Sequence, residues 1–467
     1  MYELAINLKS DGKIPLYEQI YEYIRSEIRD GHIASGEKLP STRALSRCLD
    51  VSRSTVELAY EQLLSEGYIE AQPCRGYFAA QIDGLYQIRP QCCSTRKNDA
   101  RVKETYIYDF TPNGVDLKSF PYNVWRKLSR ECLVDDRAEL FRLGCPQGEW
   151  GLRNAISSYL HQARGVNCTP EQIIIGAGND YLLMLLCAVI GTQHRVALEN
   201  PTYRQAYRLF ENLSCEVCTV DMDARGMRVD KLETSGADIA FVMPSHQYPL
   251  GTVMPIKRRM ELLGWAGRIE GRYIIEDDYD SEFRYKGKPI PALQGYDGKG
   301  RVIYIGTFSK SIAPAIRMSY MVLPETLCRM YEERCGFISS TVSKVDQLIL
   351  QRFIEDGYYE RHLNKMRALY KSRHDTLLAA LREWGADFTV SGENAGVHLL
   401  LHFSDGRSEE ELIGLAARKG VKVYGLSEYY VEGSREREEA VILLGYANMN
   451  EDKIKDAVNL LKEAWKK

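Results

Sequence analysis

The chain has 467 residues, 45% of them hydrophobic and 27% charged, enough for two to four domains at about 100–200 residues each and for a large buried core. Its 61 basic and 64 acidic side chains sum to −3, which excludes a globally basic nucleic-acid coat, so any DNA contact has to come from a local patch. The longest apolar run, Tyr181 to Ile190, falls short of the roughly 17–25 residues of a bilayer span. The start Met1-Tyr2-Glu3-Leu4 lacks the basic and apolar regions of a signal peptide, so no membrane partner and a cytoplasmic location are expected.

Twelve cysteines are a modest fraction at this length, and a reducing compartment makes free thiols the default. Cys215-Glu216-Val217-Cys218 has the spacing of a redox or zinc half-site, but no second CxxC or histidine pair accompanies it. It falls in an alternating stretch, Leu213 to Val220, that reads as a strand with its two cysteines on opposite faces. No metal site is expected.

Residues 1 to 80 read as a unit of their own. Pro15 opens a helix whose apolar Leu16, Ile20, Ile24 and Ile28 recur every four residues, and Gly31 stops it. After a connector with Gly36 and Pro40, Ser41 caps a second short helix through Leu49. Ser52 caps a third, with Val56, Ala59, Tyr60, Leu63 and Leu64 inward and Gly67 as terminator. Tyr68 to Ala71 and Tyr77 to Ala80 are short strands around Pro73-Cys74-Arg75-Gly76.

Three helices followed by a tight hairpin make a winged helix-turn-helix. That motif presents the first residues of its recognition helix to base edges in a major groove. Here those residues are Arg53, Ser54 and Thr55. Arg43 and Arg47 on the preceding helix, with Lys38 before it, suit phosphates. Arg75 at the hairpin tip suits the minor groove or a backbone phosphate. The run Gly36-Glu37-Lys38-Leu39-Pro40-Ser41-Thr42-Arg43-Ala44-Leu45-Ser46, then Val51-Ser52-Arg53-Ser54-Thr55-Val56, then Leu63 and Glu66-Gly67-Tyr68, resembles the DNA-binding domain of GntR-family repressors. The resemblance covers nearly all of residues 11 to 80 and implies binding to operator DNA as a dimer.

Residues 81 to 108 change character. Gln91-Cys92-Cys93-Ser94-Thr95-Arg96-Lys97-Asn98-Asp99-Ala100-Arg101 is polar and aperiodic, which predicts a linker. From residue 109 to 467, short apolar strands alternate with helices. Strands are predicted at Gln172 to Ile175, Val196 to Leu198, Ile239 to Met243, Tyr273 to Glu276, Val302 to Ile305 and Ser319 to Leu323, with helices such as Tyr181 to Ile190 and Tyr203 to Asn212 between some of them. The pattern is α/β with a largely parallel sheet, whose ligands bind beyond the carboxyl ends of the strands. From about Tyr370 a smaller α+β subdomain follows, with strands near Val397 to His402 and Val441 to Leu444.

Polar groups gather where those strands end. Asp277-Asp278-Tyr279 follow Glu276, Thr307-Phe308-Ser309-Lys310 follow Gly306, and Arg317 comes shortly after. Gly176-Ala177-Gly178-Asn179-Asp180 precede one helix, and Asn200-Pro201-Thr202-Tyr203 another. Together these describe a site for a phosphorylated aromatic aldehyde. A lysine forms a Schiff base with an aldehyde once partial burial and neighbouring cationic charge lower its pKa. A buried carboxylate keeps a pyridine nitrogen protonated. A helix start, hydroxyls and a cation hold a phosphate, and an aromatic face stacks on the ring.

In this order the parts resemble fold-type I enzymes dependent on pyridoxal 5'-phosphate (PLP), the aspartate aminotransferase group. By that resemblance Lys310 is the catalytic Schiff-base lysine and Asp277 the partner of the pyridine nitrogen. Tyr279 bonds the ring 3-hydroxyl, Tyr203 stacks on the ring, and Gly178, Asn179, Thr307, Ser309 and Arg317 hold the phosphate. A GntR-type winged helix fused to an aminotransferase-like domain is similar to the MocR subfamily of bacterial regulators, as is the wording of Pro244-Ser245-His246-Gln247-Tyr248-Pro249-Leu250-Gly251 and Glu276-Asp277-Asp278-Tyr279-Asp280-Ser281-Glu282-Phe283-Arg284. Membership implies a head-to-tail homodimer in which PLP, with or without a small amine or amino-acid effector, alters operator binding.

Three places depart from the enzymes' pattern. Tyr248 stands where they carry an asparagine bonded to the ring hydroxyl. Leu143-Gly144-Cys145-Pro146 lacks a tyrosine that reaches the partner subunit's phosphate. Leu443 in Val441-Ile442-Leu443-Leu444-Gly445 stands where an arginine grips the substrate carboxylate, leaving Arg204 or Arg208 as substitutes. The loss of a bidentate charged pair favours a regulator over the alternative, a working aminotransferase with an accessory DNA-binding domain.

Overall fold

The computed structural model describes residues 6, 8–9, 14–81, 106–133, 138–285, 287, 289–384, 388–431 and 439–466. The chain divides into two compact units, Met1–Lys103 and Glu104–Lys467. Nearly all of the linker predicted at 81–108, with Cys92 and Cys93, lies outside the described residues.

The first unit consists of α1 (Leu16–Arg29), α2 (Thr42–Cys48), α3 (Arg53–Ser65) and the hairpin β1 (Ile69–Gln72) and β2 (Gly76–Ala79). Ser41 and Ser52 cap their helices, each Oγ accepting at 3.2 Å from the backbone N–H three residues on. Ile20, Ile24 and Ile28 of α1 pack on Leu45 of α2 and on Val56, Ala59, Tyr60 and Leu63 of α3. Leu16, expected inside, is only half-buried, because the stripe runs off the core at the first helical residue. The first hairpin strand starts one residue later than the sequence suggested and the second one residue earlier. The connector before α2 adds a third edge to the wing: Leu39 N–H donates to Tyr77 O and Ala79 N–H to Glu37 O, both at 2.9 Å.

The second unit opens with β3 (Tyr108–Asp109) and then builds a large sheet from β4 (Ile173–Gly176), β5 (Arg195–Asn200), β6 (Glu216–Asp223), β7 (Gly226–Met227), β8 (Ile239–Val242), β9 (Tyr273–Asp278), β10 (Val302–Thr307) and β11 (Ser319–Val322). Their order is β4-β11-β10-β9-β8-β5-β6-β7. Strands β6, β5, β8, β9 and β10 run parallel. β11 is antiparallel to both β10 and β4, which returns the carboxyl end of β4 to the edge where β5, β8, β9 and β10 end. The cysteine-bearing strand begins at Glu216 and not at Leu213, because Ser214 takes a left-handed φ of 62° that ends any extended run. Cys215 therefore precedes the strand and lies buried, its Sγ 3.8 Å from that of Cys187, while Cys218 is half-buried on β6.

A smaller four-stranded sheet follows, formed by β12 (Phe388–Ser391), β13 (His398–Phe403), β15 (Tyr424–Gly425) and β16 (Ala440–Gly445), with β14 (Val421–Lys422) paired to β3. Phe110 is fully buried in the core of this part beside Val421, Leu399 and Tyr446. The small subdomain thus takes in a segment near residue 108 that its continuous sequence span leaves out. Among the described residues no helix is long and apolar enough to cross a membrane.

Candidate functional site

The carboxyl ends of β4, β5, β8, β9 and β10 converge on a cavity of about 350 Å³. Lys310, Asp277, Tyr279, Tyr203, Asn179, Thr307, Ser309 and Arg317 all line it, with Asn113, Asp180, Gln205, Met243, Tyr248 and Pro314. Of the residues singled out from the sequence, only Gly178 stands behind the wall.

Lys310 follows β10, and its Nζ donates to Asn113 Oδ1 at 3.1 Å. Burial pulls its pKa down to about 8 while Asp280 acts in the opposite sense. Desolvation, and not the neighbouring cation that the sequence suggested, is what favours the neutral amine.

Asp277 and Asp278 lie within β9 and not after it, so alternation sends them to opposite faces of the sheet. Asp278 Oδ2 accepts from Arg164 Nε at 2.8 Å and from the Tyr304 hydroxyl at 2.5 Å. Glu276 accepts two backbone N–H groups at 2.8 Å, from Leu293 and Gln294. Asp280 pairs at 3.0 Å with Nδ1 of the buried His246. Among the described residues Asp277 has a single weaker bond, from Asn179 Nδ2 at 3.2 Å, and it lines the cavity. Burial pushes it up to about 7, with Asp278 and Asp280 adding to the rise. Among the described residues it is the acid of this run with the fewest hydrogen bonds, and it lines the cavity.

At the other end of the cavity the helix Asn179–Ile190 begins, with Gly178 as its N-cap at a φ of 98°. A Cβ there would collide with Arg317 Nη2, so glycine is what lets the guanidinium cross the helix start. Arg317 has a left-handed φ of 48°, and its Nη2 makes only long contacts, 3.4 Å to Asp180 Oδ2 and to Ala177 O. Ser309 Oγ and Asn179 Oδ1 are buried without a partner among the described residues. Thr307 Oγ1 accepts from Ser309 N–H at 3.1 Å and from Ser319 Oγ at 2.9 Å. A helix start, a cation held only by long contacts and an unpartnered hydroxyl fit a phosphate. With an amine of lowered pKa and a sparsely bonded acid in the same cavity, these residues fit a phosphorylated pyridine aldehyde.

His246 and Asn113, which the sequence did not single out, complete the surroundings of the site. The Tyr279 hydroxyl lies 2.9 Å from His246 Nδ1, which places a His–Asp pair behind it. Tyr248, at the asparagine position, has its hydroxyl already engaged: it accepts from Asn113 Nδ2 at 3.2 Å and donates to the Tyr429 hydroxyl at 2.9 Å. His246 and Tyr248 were visible inside a motif segment. Asn113 follows Pro112 far from any strand end of the large sheet, and nothing in the sequence marked it.

Leu443 is fully buried on β16 among Leu400, Leu426 and Val441. Neither substitute arginine reaches the cavity wall. Arg204 donates to Glu428 O at 2.9 Å, and Arg208 is exposed on the helix Arg204–Asn212.

In the first unit, Arg43, Arg47, Lys38, Arg53, Ser54 and Arg75 are exposed, whereas Thr55 is half-buried. Arg53 is paired across one helical turn, its Nε 2.7 Å from Glu57 Oε1. Ser54 Oγ and Thr55 Oγ1 lie 2.8 and 2.7 Å from the capping Ser52 Oγ. Lys38 and Arg75 flank the Phe78 ring at 5.9 and 5.7 Å, which puts two cations on the wing.

Residues 113–461 match the family described as aminotransferase class I and II, and residues 16–78 match bacterial regulatory proteins of the gntR family. The HTH-type transcriptional regulator YhdI of Bacillus subtilis is 41% identical over 98% of this chain and 97% of its own length. The probable rhizopine catabolism regulatory protein MocR of Rhizobium meliloti is 31% identical over 98% of this chain and 95% of its own. Among solved structures, the Pyrococcus horikoshii kynurenine aminotransferase in complex with PMP is similar with a TM-score of 0.68 and 26% identity, covering 78% of this chain and 92% of that one.

Proposed function

Because the chain belongs to the aminotransferase class I and II family and carries a gntR-family regulatory domain ahead of that region, we propose that it is a PLP-binding transcriptional regulator of the MocR type. The observation that carries the sensing half is Asp277: among the described residues it is the acid of a buried run left without a strong partner, and it lines the same cavity as Lys310.

When bound, PLP supplies an aldehyde for an amine to capture and a pyridine ring that draws electrons once protonated. Lys310 presents that amine with its pKa lowered toward neutrality. Asp277 holds the proton of the ring nitrogen, and Asn179 fixes the rotamer of Asp277 from the side. Tyr203 covers one ring face, and Tyr279 bonds the ring 3-hydroxyl with His246 and Asp280 behind it. Gly178, Asn179, Thr307, Ser309 and Arg317 receive the phosphate.

Residues 1–80 bind operator DNA, with Arg53, Ser54 and Thr55 at the bases, Arg43, Arg47 and Lys38 on phosphates and Arg75 at the wing tip. Residues 81–108 link this part to the sensor at 109–467. The chain works as a head-to-tail homodimer in the cytoplasm. The largely exposed Phe141, Leu143 and Phe337 give a second copy apolar surface to cover. A small amine or amino acid is the further effector. Full turnover is not the role proposed, since Leu443 fills the carboxylate-gripping position with packing.

The experiment is an absorbance titration of the purified chain with PLP, for wild type and Lys310→Ala, followed by gel shifts with and without PLP. A visible band that requires Lys310, with operator affinity that responds to PLP, is the expected result. A wild type without the band, or a band that survives the substitution, refutes the lysine assignment.

A further inference from the structure

We propose that Asn113 senses whether the Lys310 amine is free and passes that state to the chain segment entering from the linker. The inference rests on the reading of Lys310 as the amine that captures the cofactor.

Asn113 is an exposed residue of the cavity wall, and both ends of its amide are used. Oδ1 accepts from Lys310 Nζ at 3.1 Å, and Nδ2 donates to the Tyr248 hydroxyl at 3.2 Å. The chain continues from Tyr248 to the Tyr429 hydroxyl at 2.9 Å, so a line of hydrogen bonds runs from the lysine to the small subdomain. An ammonium donating to Oδ1 holds the amide in one orientation, because turning it over sets the amide donor against the cation. Backwards along the chain, Asn113 is tied to the small sheet. Phe110 N–H donates to Lys422 O at 3.0 Å, Ile107 N–H to Gly420 O at 2.8 Å, and Gly445 N–H to Phe110 O at 2.8 Å. This stretch is the first described part of the chain after residues 82–105, which join the two units covalently.

Condensation of a neutral amine with an aldehyde forms a C=N bond and releases water. The carbonyl oxygen leaves with both hydrogens of the amine. Lys310 bonded in this way no longer offers the N–H that Asn113 Oδ1 accepts, and the amide is released from its single orientation. An effector amine that takes over the same carbon returns two hydrogens to the lysine nitrogen and restores the bond. Asn113 thereby distinguishes an occupied lysine from a free one, with a bias of about two- to tenfold for one hydrogen bond.

The test is hydrogen–deuterium exchange of residues 106–114 in the full-length chain, with and without saturating PLP, for wild type, Asn113→Ala and Asn113→Asp. In wild type, PLP changes exchange in this segment at least twofold; in Asn113→Ala, at saturation judged by the visible band, it does not. A wild-type response retained in Asn113→Ala overturns the relay. Asn113→Asp sets a carboxylate beside the amine and raises its pKa, so the pH midpoint of PLP capture moves up by about one unit. An unmoved midpoint overturns the Lys310–Asn113 contact. If wild type shows no band, or Lys310→Ala keeps it, the cofactor reading itself fails and the relay with it. A band with an unresponsive segment condemns the relay alone.

Discussion

Asp277→Asn separates what the acid costs the empty fold from what it gives the loaded one. Burial moves this carboxyl from 3.8 to about 7, so at 1.36 kcal/mol per pH unit the ionised form burdens the cofactor-free fold by up to about 4 kcal/mol above that pH. The folded value lies above the unfolded one, so between the two the folded chain binds more protons, and stability falls as the pH rises through that window. Asparagine has the same shape, keeps an oxygen for Asn179 Nδ2 and carries no charge. The substitution therefore raises the Tm of the cofactor-free protein at pH 8 by about 2–6 °C. At pH 4, where the wild-type carboxyl is protonated, it leaves Tm nearly unchanged. With PLP the order reverses: a buried cation loses its partner at a cost of about 3 kcal/mol, near 150-fold in Kd. Calorimetry at both pH values and an absorbance titration read the two effects. An unchanged or lower Tm at pH 8 refutes the burial argument, and a PLP Kd within threefold of wild type refutes the pairing.

Glu199, also buried and pushed up to about 7 by burial, lies outside the cavity wall, so Glu199→Gln raises Tm at pH 8 equally with and without PLP; a PLP-dependent difference in calorimetry contradicts this. Gly178→Ala meets a left-handed φ and the Arg317 guanidinium together. PLP affinity falls at least tenfold while that for unphosphorylated pyridoxal changes less than threefold, and equal losses place the glycine away from the phosphate. Arg53→Ala weakens operator binding by about 1–3 kcal/mol in a gel shift, whereas Glu57→Ala, which removes an exposed pair worth about 0.3–0.5 kcal/mol, tightens it about twofold. An unchanged affinity for Arg53→Ala removes that residue from the interface.

The winged unit was legible because each of its signals is local. Ser41 and Ser52 mark helix starts through bonds that span three residues, and the Ile20-Ile24-Ile28 stripe needs only the helical repeat. What escaped were pairings between distant positions. The connector at Leu39 becomes an edge of the wing only once Tyr77 lies beside it. Tyr108 and Phe110 join a subdomain centred some 300 residues later because β14 offers them a parallel partner, and a one-dimensional pattern carries no trace of that choice. Asn113 is the same case at the site. Its role comes from where β3 delivers it, and no residue near it in sequence has the strand-end context that drew attention to Asp277 or Lys310.

The acids of β9 show how far alternation alone can assign chemistry. The run 276–280 offers four carboxyls, and family wording selects one of them by position. Strand geometry selects the same one for a physical reason, since Glu276 and Asp278 face Leu293 and Arg164, and Asp280 beyond the strand end meets His246. Position 443 is governed by the opposite logic. Its side chain is fully buried among Leu400, Leu426 and Val441, where an arginine without a partner would cost several kcal/mol. A single Leu443→Arg change therefore destabilises the small subdomain before it could grip a carboxylate, and placing an arginine there would require repacking that cluster. Under the proposed reading, the groups that would hold the cofactor stay available while position 443 is taken up by packing, which is the division a sensor needs.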